Sequence, residues 1–214
     1  MCWDKNQRYI VLSFGRSGSM LIVGLLSKIL GSHPIFVKSQ TLDSIPTFVQ
    51  EYPLEPATLQ HSHLYFLPKQ LQGHVKCFSL RRNTVDCVIS TLLSQILGHW
   101  HNPIDSTPPS LKPFKFGNWF MLDHICRKHQ FWHKFYLSQL CSTDLVFFLE
   151  DLKSHIPRTG SLYNETFPNK RDLILNYDQL VDQITPYLDD MNHSVAAFAQ
   201  HHNNFDVYKS IMNQ

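Results

Sequence analysis

The sequence predicts a single α/β domain spanning residues 1–214, a mostly parallel β-sheet flanked by helices. Three observations carry this. Short apolar runs of strand length alternate with longer helical patterns, the order that builds a parallel sheet covered by helices. Two of those runs, Tyr9–Phe14 and Val75–Leu80, pass through a few small or polar residues straight into helical segments. No internal repeat or low-complexity linker divides the 214 residues, and 43% hydrophobic content is enough for one substantial core.

Taken in order, the first strand is Tyr9–Phe14 and the first helix Met20–Leu30. Gly31 with Pro34 just beyond it supplies the helix stop. Strands follow at Ile35–Lys38, Thr58–Leu64 and Val75–Leu80, then a helix over Thr84–Leu97. The loop His99–Gly117 carries Pro103, Pro108, Pro109 and Pro113. A loop that long in a compact domain is an active-site cover or a disordered insert, and residues 99–117 are read as the cover. A helix over Asn118–Leu140 comes next. Asp144–Glu150 reads equally as a strand or as the end of a helix. A last strand is predicted at Leu173–Asn176, a helix at about Val181–Tyr187, and a surface helix at Val195–His202.

Charge and cysteine usage narrow the function. A formal net charge of +2 leaves no electrostatic footprint for nucleic acid, so any anion site is local. Cys2, Cys77, Cys87, Cys126 and Cys141 are odd in number and without C-x-x-C spacing, which reads as reduced thiols. With no signal-peptide pattern and no apolar run near 20 residues, the expectation is a cytoplasmic protein that does not enter a membrane.

The strongest chemical signal is Tyr9-Ile-Val-Leu-Ser-Phe-Gly-Arg-Ser-Gly-Ser-Met-Leu-Ile22, a strand feeding a small-residue turn into a helix. Backbone N–H groups of such a turn converge where the helix dipole favours negative charge. Arg16 and Ser19 add donors, and Gly15 and Gly18 allow close approach. The Lys and the following Ser or Thr of a nucleoside-triphosphate P-loop are missing. A second turn has the same layout: Val75–Leu80, Arg81, Arg82, Asn83, then a helix. Asn83 and Asp86 stand at the spacing of an N-cap and an N3 acid. The two arginines form a fork for a second phosphate; the ordinary alternative is that one of them pairs with Asp86 or a surface acid. Ser90 lies two helical turns from Arg82 and shares a ligand with it only where Arg82 folds back over the helix start. In Leu59-Gln-His-Ser-His-Leu-Tyr-Phe-Leu-Pro68, His61 and His63 point to one side of a strand. A strand-end histidine beside an anion loop suits a general base, though a core or surface role is the common one.

Together these stretches resemble the sulfotransferases that use 3′-phosphoadenosine 5′-phosphosulfate (PAPS). The likeness lies in strand–Gly-Arg-Ser-Gly-Ser–helix, in His-Ser-His-Leu-x-x-x-Leu-Pro beside the family's Lys-Thr-His-Leu-Pro, and in Arg82-Asn-x-x-Asp86-x-x-x-Ser90. Phe116–His124 is similar to the family's Gly-x-Trp-…-His segment, and Leu173–Leu180 to its Tyr-Glu-Asp-Leu strand end. The resemblance implies a P-loop-NTPase-like sulfotransferase fold and in-line transfer of a sulfuryl group to a hydroxyl or amine, with adenosine 3′,5′-bisphosphate as product and no metal required. It places the 5′-phosphosulfate at Arg16, Ser17, Gly18, Ser19 and Met20, with Arg16 as the catalytic cation. It also gives the 3′-phosphate to Arg82 and Ser90, the role of base to His63, and a place near adenine to Tyr177.

Departures from the family define the alternatives. Met20 removes a hydroxyl donor, His61 replaces a lysine, and the C-terminal closing loop has no counterpart in His201–Gln214. A non-catalytic nucleotide- or phosphoester-binding module of the same fold and an atypical P-loop kinase stay open, as does Asp43 in place of His63. The acceptor is a small molecule, a carbohydrate or a peptide, read by Gln40–Pro56 and His99–Gly117. His99/His101 and His129/His133 have zinc-like spacing without a third ligand. Phe131, Trp132, Phe135 and Tyr136 read as core, and Trp119 as core or acceptor pocket.

Overall fold

The computed structural model describes residues 7–14, 19–31, 35–37, 59–62, 73–97, 112–155 and 169–200. Within them the strands are β1 (Tyr9–Ser13), β2 (Ile35–Val37), β3 (Leu59–Ser62), β4 (Val75–Leu80) and β5 (Leu145–Phe148). The helices are α1 (Ser19–Leu30), α2 (Thr84–Leu97), α3 (Trp119–Leu137), α4 (Leu149–His155), α5 (Lys170–Leu173) and α6 (Tyr177–Gln200). All five strands run parallel in one sheet, in the order β2-β3-β1-β4-β5. Gly31 takes a φ of 62° just after α1, the left-handed stop that the sequence predicts there.

Strands buried on both faces read as unbroken apolar runs, and β1 and β5 are buried at every position. Alternate residues divide the core. Tyr9, Val11, Cys77, Leu145 and Phe147 face α1 and α4, where they meet Leu21, Ile22, Leu26 and Leu152. Ile10, Leu12, Phe78, Leu80, Val146 and Phe148 face the other way, onto Trp132 and Tyr136 of α3 and Val195 and Phe198 of α6. A third cluster joins α2, α3 and α6 through Val88, Leu92, Leu122, Ile125, Ile184 and Met191. Among the described residues no helix is long and apolar enough to cross a membrane.

Three expectations change and one open reading is resolved. The predicted strand Leu173–Asn176 is not a strand: Leu173 ends α5, and Ile174 makes one isolated bridge to Phe114. The fifth strand is Leu145–Phe148, in the segment that read two ways, and α4 follows it at once. The helix predicted at Val181–Tyr187 runs from Tyr177 to Gln200 and absorbs most of the predicted surface helix, whose Val195 and Phe198 are buried. Pro186 is tolerated inside it because Pro186 and Asp182 both lie on the exposed face, where the carbonyl that loses its partner meets water. The third helix ends at Leu137, three residues early, with Ser138 as its cap.

Two buried polar features bear on stability. Lys76 Nζ lies 2.8 Å from Asp144 Oδ2, and the same carboxylate accepts from the backbone N–H groups of Lys76 and Cys141 at 3.2 and 2.8 Å. On α3, His129 and His133 are buried and stacked 6.3 Å apart, with the Phe14 ring 3.8 Å from His129. Burial holds His129 well below the usual histidine range and pushes His133 down to about 4. Among the described residues no group of three metal-ligating side chains forms around them. Trp132 and Tyr136 are core, whereas Phe131 is exposed.

Asp144→Ala strands the buried Lys76 ammonium and is expected to cost about 3–5 kcal/mol in denaturant unfolding. Replacing the pair together, as Lys76→Met with Asp144→Asn, which keeps a side-chain oxygen for the backbone N–H groups, should recover part of that loss. The histidine pair sets a pH trend. Both groups are neutral when folded and bind protons near pH 6.5 when unfolded, so stability is full above that pH and falls as pH drops toward 4. The slope is about 1.4 kcal/mol per pH unit for each histidine. Thermal melts between pH 7 and 4 check this, and His133→Phe should flatten the curve.

Candidate anion-binding site

The strand order decides where a ligand fits. The chain leaves β1 toward β2 on one side of the sheet and leaves β4 toward β5 on the other. The carboxyl ends of β1 and β4 are therefore the switch point of the sheet, the place where open α/β sheets bind ligands. Ser13 of β1 pairs with Ser79 of β4, so the two strands end within one residue of each other.

On the β1 side, Ser19 opens α1 and is buried, and Met20 is the next residue of that helix. Arg16, Ser17 and Gly18 lie outside the described residues. So does His63, the residue after β3, whose last pair is Ser62 with Leu12. His61 lies within β3, paired with Val11.

The β4 side is described in full. Asn83 is the cap: its Oδ1 accepts from Asp86 N–H at 2.9 Å. The two arginines part company, as adjacent residues leaving an extended strand must. The Arg82 guanidinium lies 4.1 Å over the Phe148 ring and pairs with Asp151 at 2.7 Å. Arg81 turns the other way, and its Nη1 donates to Ser90 Oγ at 3.3 Å. The side chain that meets Ser90 is thus Arg81 rather than Arg82, which is held by its ring and carboxylate.

Two further residues complete the cluster, and the motif reading missed both. Lys170 of α5 donates through Nζ to Ser90 Oγ, to an Asp86 carboxylate oxygen and, at 3.1 Å, to the Asp86 carbonyl. Arg81 Nη2 bonds the other Asp86 oxygen. Glu150 accepts from the backbone N–H groups of Arg82 and Asn83 at 3.0 and 3.4 Å and stands 3.9 Å from Arg81 Nε. That Nε is buried with no hydrogen-bond partner among the described residues. Acids directly after a buried apolar run were a legible signal for Glu150 and Asp151. Nothing in the sequence tied Lys170 to Ser90.

Tyr177 opens α6, with the Arg171 guanidinium 4.8 Å over its ring, beside the helix that carries Lys170. Trp119 packs edge-on against Phe116 at 5.2 Å, within the α2–α3–α6 cluster. Arg81, Lys170 and the Ser90 hydroxyl converge as two cations and a neutral donor, a set suited to a tetrahedral oxyanion. Comparison of the chain with protein-family models, with curated proteins and with solved structures returns no match.

An oxyanion held here depends on Arg81. Inorganic sulfate should raise the melting temperature of the wild type and of Arg82→Ala, and leave Arg81→Ala unmoved in the same titration.

Proposed function

We propose that the chain is a PAPS-dependent sulfotransferase of P-loop-like fold, transferring a sulfuryl group to a hydroxyl or amine acceptor. The observation that carries this reading is the meeting of Arg81, Lys170 and Ser90 at the end of β4, beside the strand that feeds the Gly-Arg-Ser-Gly-Ser turn. Two anion-binding turns on neighbouring strands suit a nucleotide with phosphates at both ends. Arg81, Ser90 and Lys170 hold the 3′-phosphate, with Arg82 close by on Phe148. The turn Arg16–Ser19 and Met20 hold the 5′ end.

The bound nucleotide supplies a sulfuryl group already activated as a mixed anhydride. The chain's own groups do the rest. Turn N–H donors and Arg16 stabilise the charge that builds on the leaving phosphate oxygen. His63 takes the proton that the acceptor loses as the new bond forms. The distant 3′-phosphate clamp contributes binding energy and separates this nucleotide from ATP. Cys77, Cys87 and Cys126 are buried thiols outside any disulfide, which supports a reducing, cytoplasmic setting.

A second reading is favoured by one observation: Asp86 and Glu150 already occupy donors of the second turn. A module that holds the nucleotide without turnover fits that arrangement. Calorimetry should give adenosine 3′,5′-bisphosphate at least about tenfold tighter binding than ATP, the scale of one charge-assisted hydrogen bond, without a magnesium requirement. A preference for ATP would sink both readings. A labelled-sulfate transfer screen separates them. In it, His63→Ala should abolish transfer and leave nucleotide affinity within a few-fold.

A further inference from the structure

Asp86 lies between the two cations that meet Ser90. Its two carboxylate oxygens bond Arg81 and Lys170, the cations that also donate to Ser90 Oγ. The helix does not need this carboxylate as a cap, because Asn83 fills that role. Arg81 still holds a buried Nε without a hydrogen-bond partner among the described residues, with Glu150 3.9 Å away, so the cluster retains donor capacity that Asp86 does not use.

We propose that Asp86 is an internal substitute for the ligand's oxyanion, closing the site until a dianionic phosphate monoester displaces it. The inference rests on the proposed function only in taking this cluster as an anion site. A carboxylate offers two oxygens and one charge. A phosphate monoester offers three oxygens and close to two charges, so it engages Arg81, Lys170 and Ser90 together. Displaced, Asp86 stays near the ligand and repels it, as does Glu150 near Arg81. A monoanion gains too little from the two cations to offset that repulsion. Asp86 thereby selects dianionic monoesters over monoanionic diesters, and Lys170, 80 positions along the chain from Ser90, is the second cation it releases.

Calorimetry with inorganic phosphate, dimethyl phosphate and adenosine 3′,5′-bisphosphate tests this on the full chain. Asp86→Asn should bind inorganic phosphate at least about tenfold tighter than the wild type, since removing a like charge beside the ligand acts on that scale. It should also gain measurable binding of dimethyl phosphate. Lys170→Gln should bind phosphate at least about tenfold more weakly, the loss of one charged donor. Asp86→Ser serves where the asparagine variant does not fold. Phosphate affinity in the Asp86 variants that is lower than, or within about twofold of, the wild type overturns the proposal, as does phosphate binding in none of the proteins. Failure of the sulfotransferase reading looks different: the bisphosphate then binds no tighter than inorganic phosphate, while the Asp86 effect persists.

Discussion

Strand β1 is hydrogen-bonded along both edges, to β3 from Tyr9 to Leu12 and to β4 from Tyr9 to Ser13, and its side chains are buried on both faces. This double pairing sets the rest of the structure. Because β1 is central, the chain must leave it toward β2 on one side and later pass it to reach β4 on the other. The crossovers divide there, α1 covers one face, and α3 and α6 cover the other. The same division makes the carboxyl ends of β1 and β4 the switch point of the sheet. That switch point is a consequence of strand order before any polar residue is considered.

Charge is balanced at the end of β4. Arg81, Arg82 and Lys170 face Asp86, Glu150 and Asp151, so the free site is close to neutral. The pairs differ in weight. Arg82 and Asp151 are partly exposed, and solvent reduces such a pair to about 1 kcal/mol or less. Arg81 and Lys170 are more enclosed, so their charges need a partner whether a ligand is present or not. That requirement gives Asp86 a structural reason to stand between them.

Much of this was legible in the sequence. Val75–Leu80 and Thr84–Leu97 match the predicted strand and helix end to end, because an apolar run, a capping asparagine and a helical stripe agree there. The spacing from Arg82 to Ser90 drew attention to a turn in which Arg81, not Arg82, meets Ser90. Sequence spacing cannot say which of two neighbouring side chains turns inward; the Phe148 ring and Asp151 decide that, and both come from a distant strand and helix. The fifth strand was obscured for a related reason. Leu145–Phe148 runs into α4 without a turn residue, so its four apolar positions read equally well as a helix.

The segment that mimicked a strand has a different task. Phe114 N–H donates to Leu173 O at 3.0 Å, and Leu175 N–H to Phe114 O at 2.9 Å, forming a short ladder away from the main sheet. Asn176 closes it by accepting from Phe116 N–H at 2.8 Å and donating to Phe116 O at 2.9 Å. Leu173 and Ile174 are buried beneath in the α2–α3–α6 cluster. This clamp fixes the corner between α5 and α6, and with it the start of α5, where Asn169 caps the single turn. Lys170 is the first residue of that turn, so the apolar pattern that suggested a strand instead anchors the helix from which Lys170 reaches Ser90.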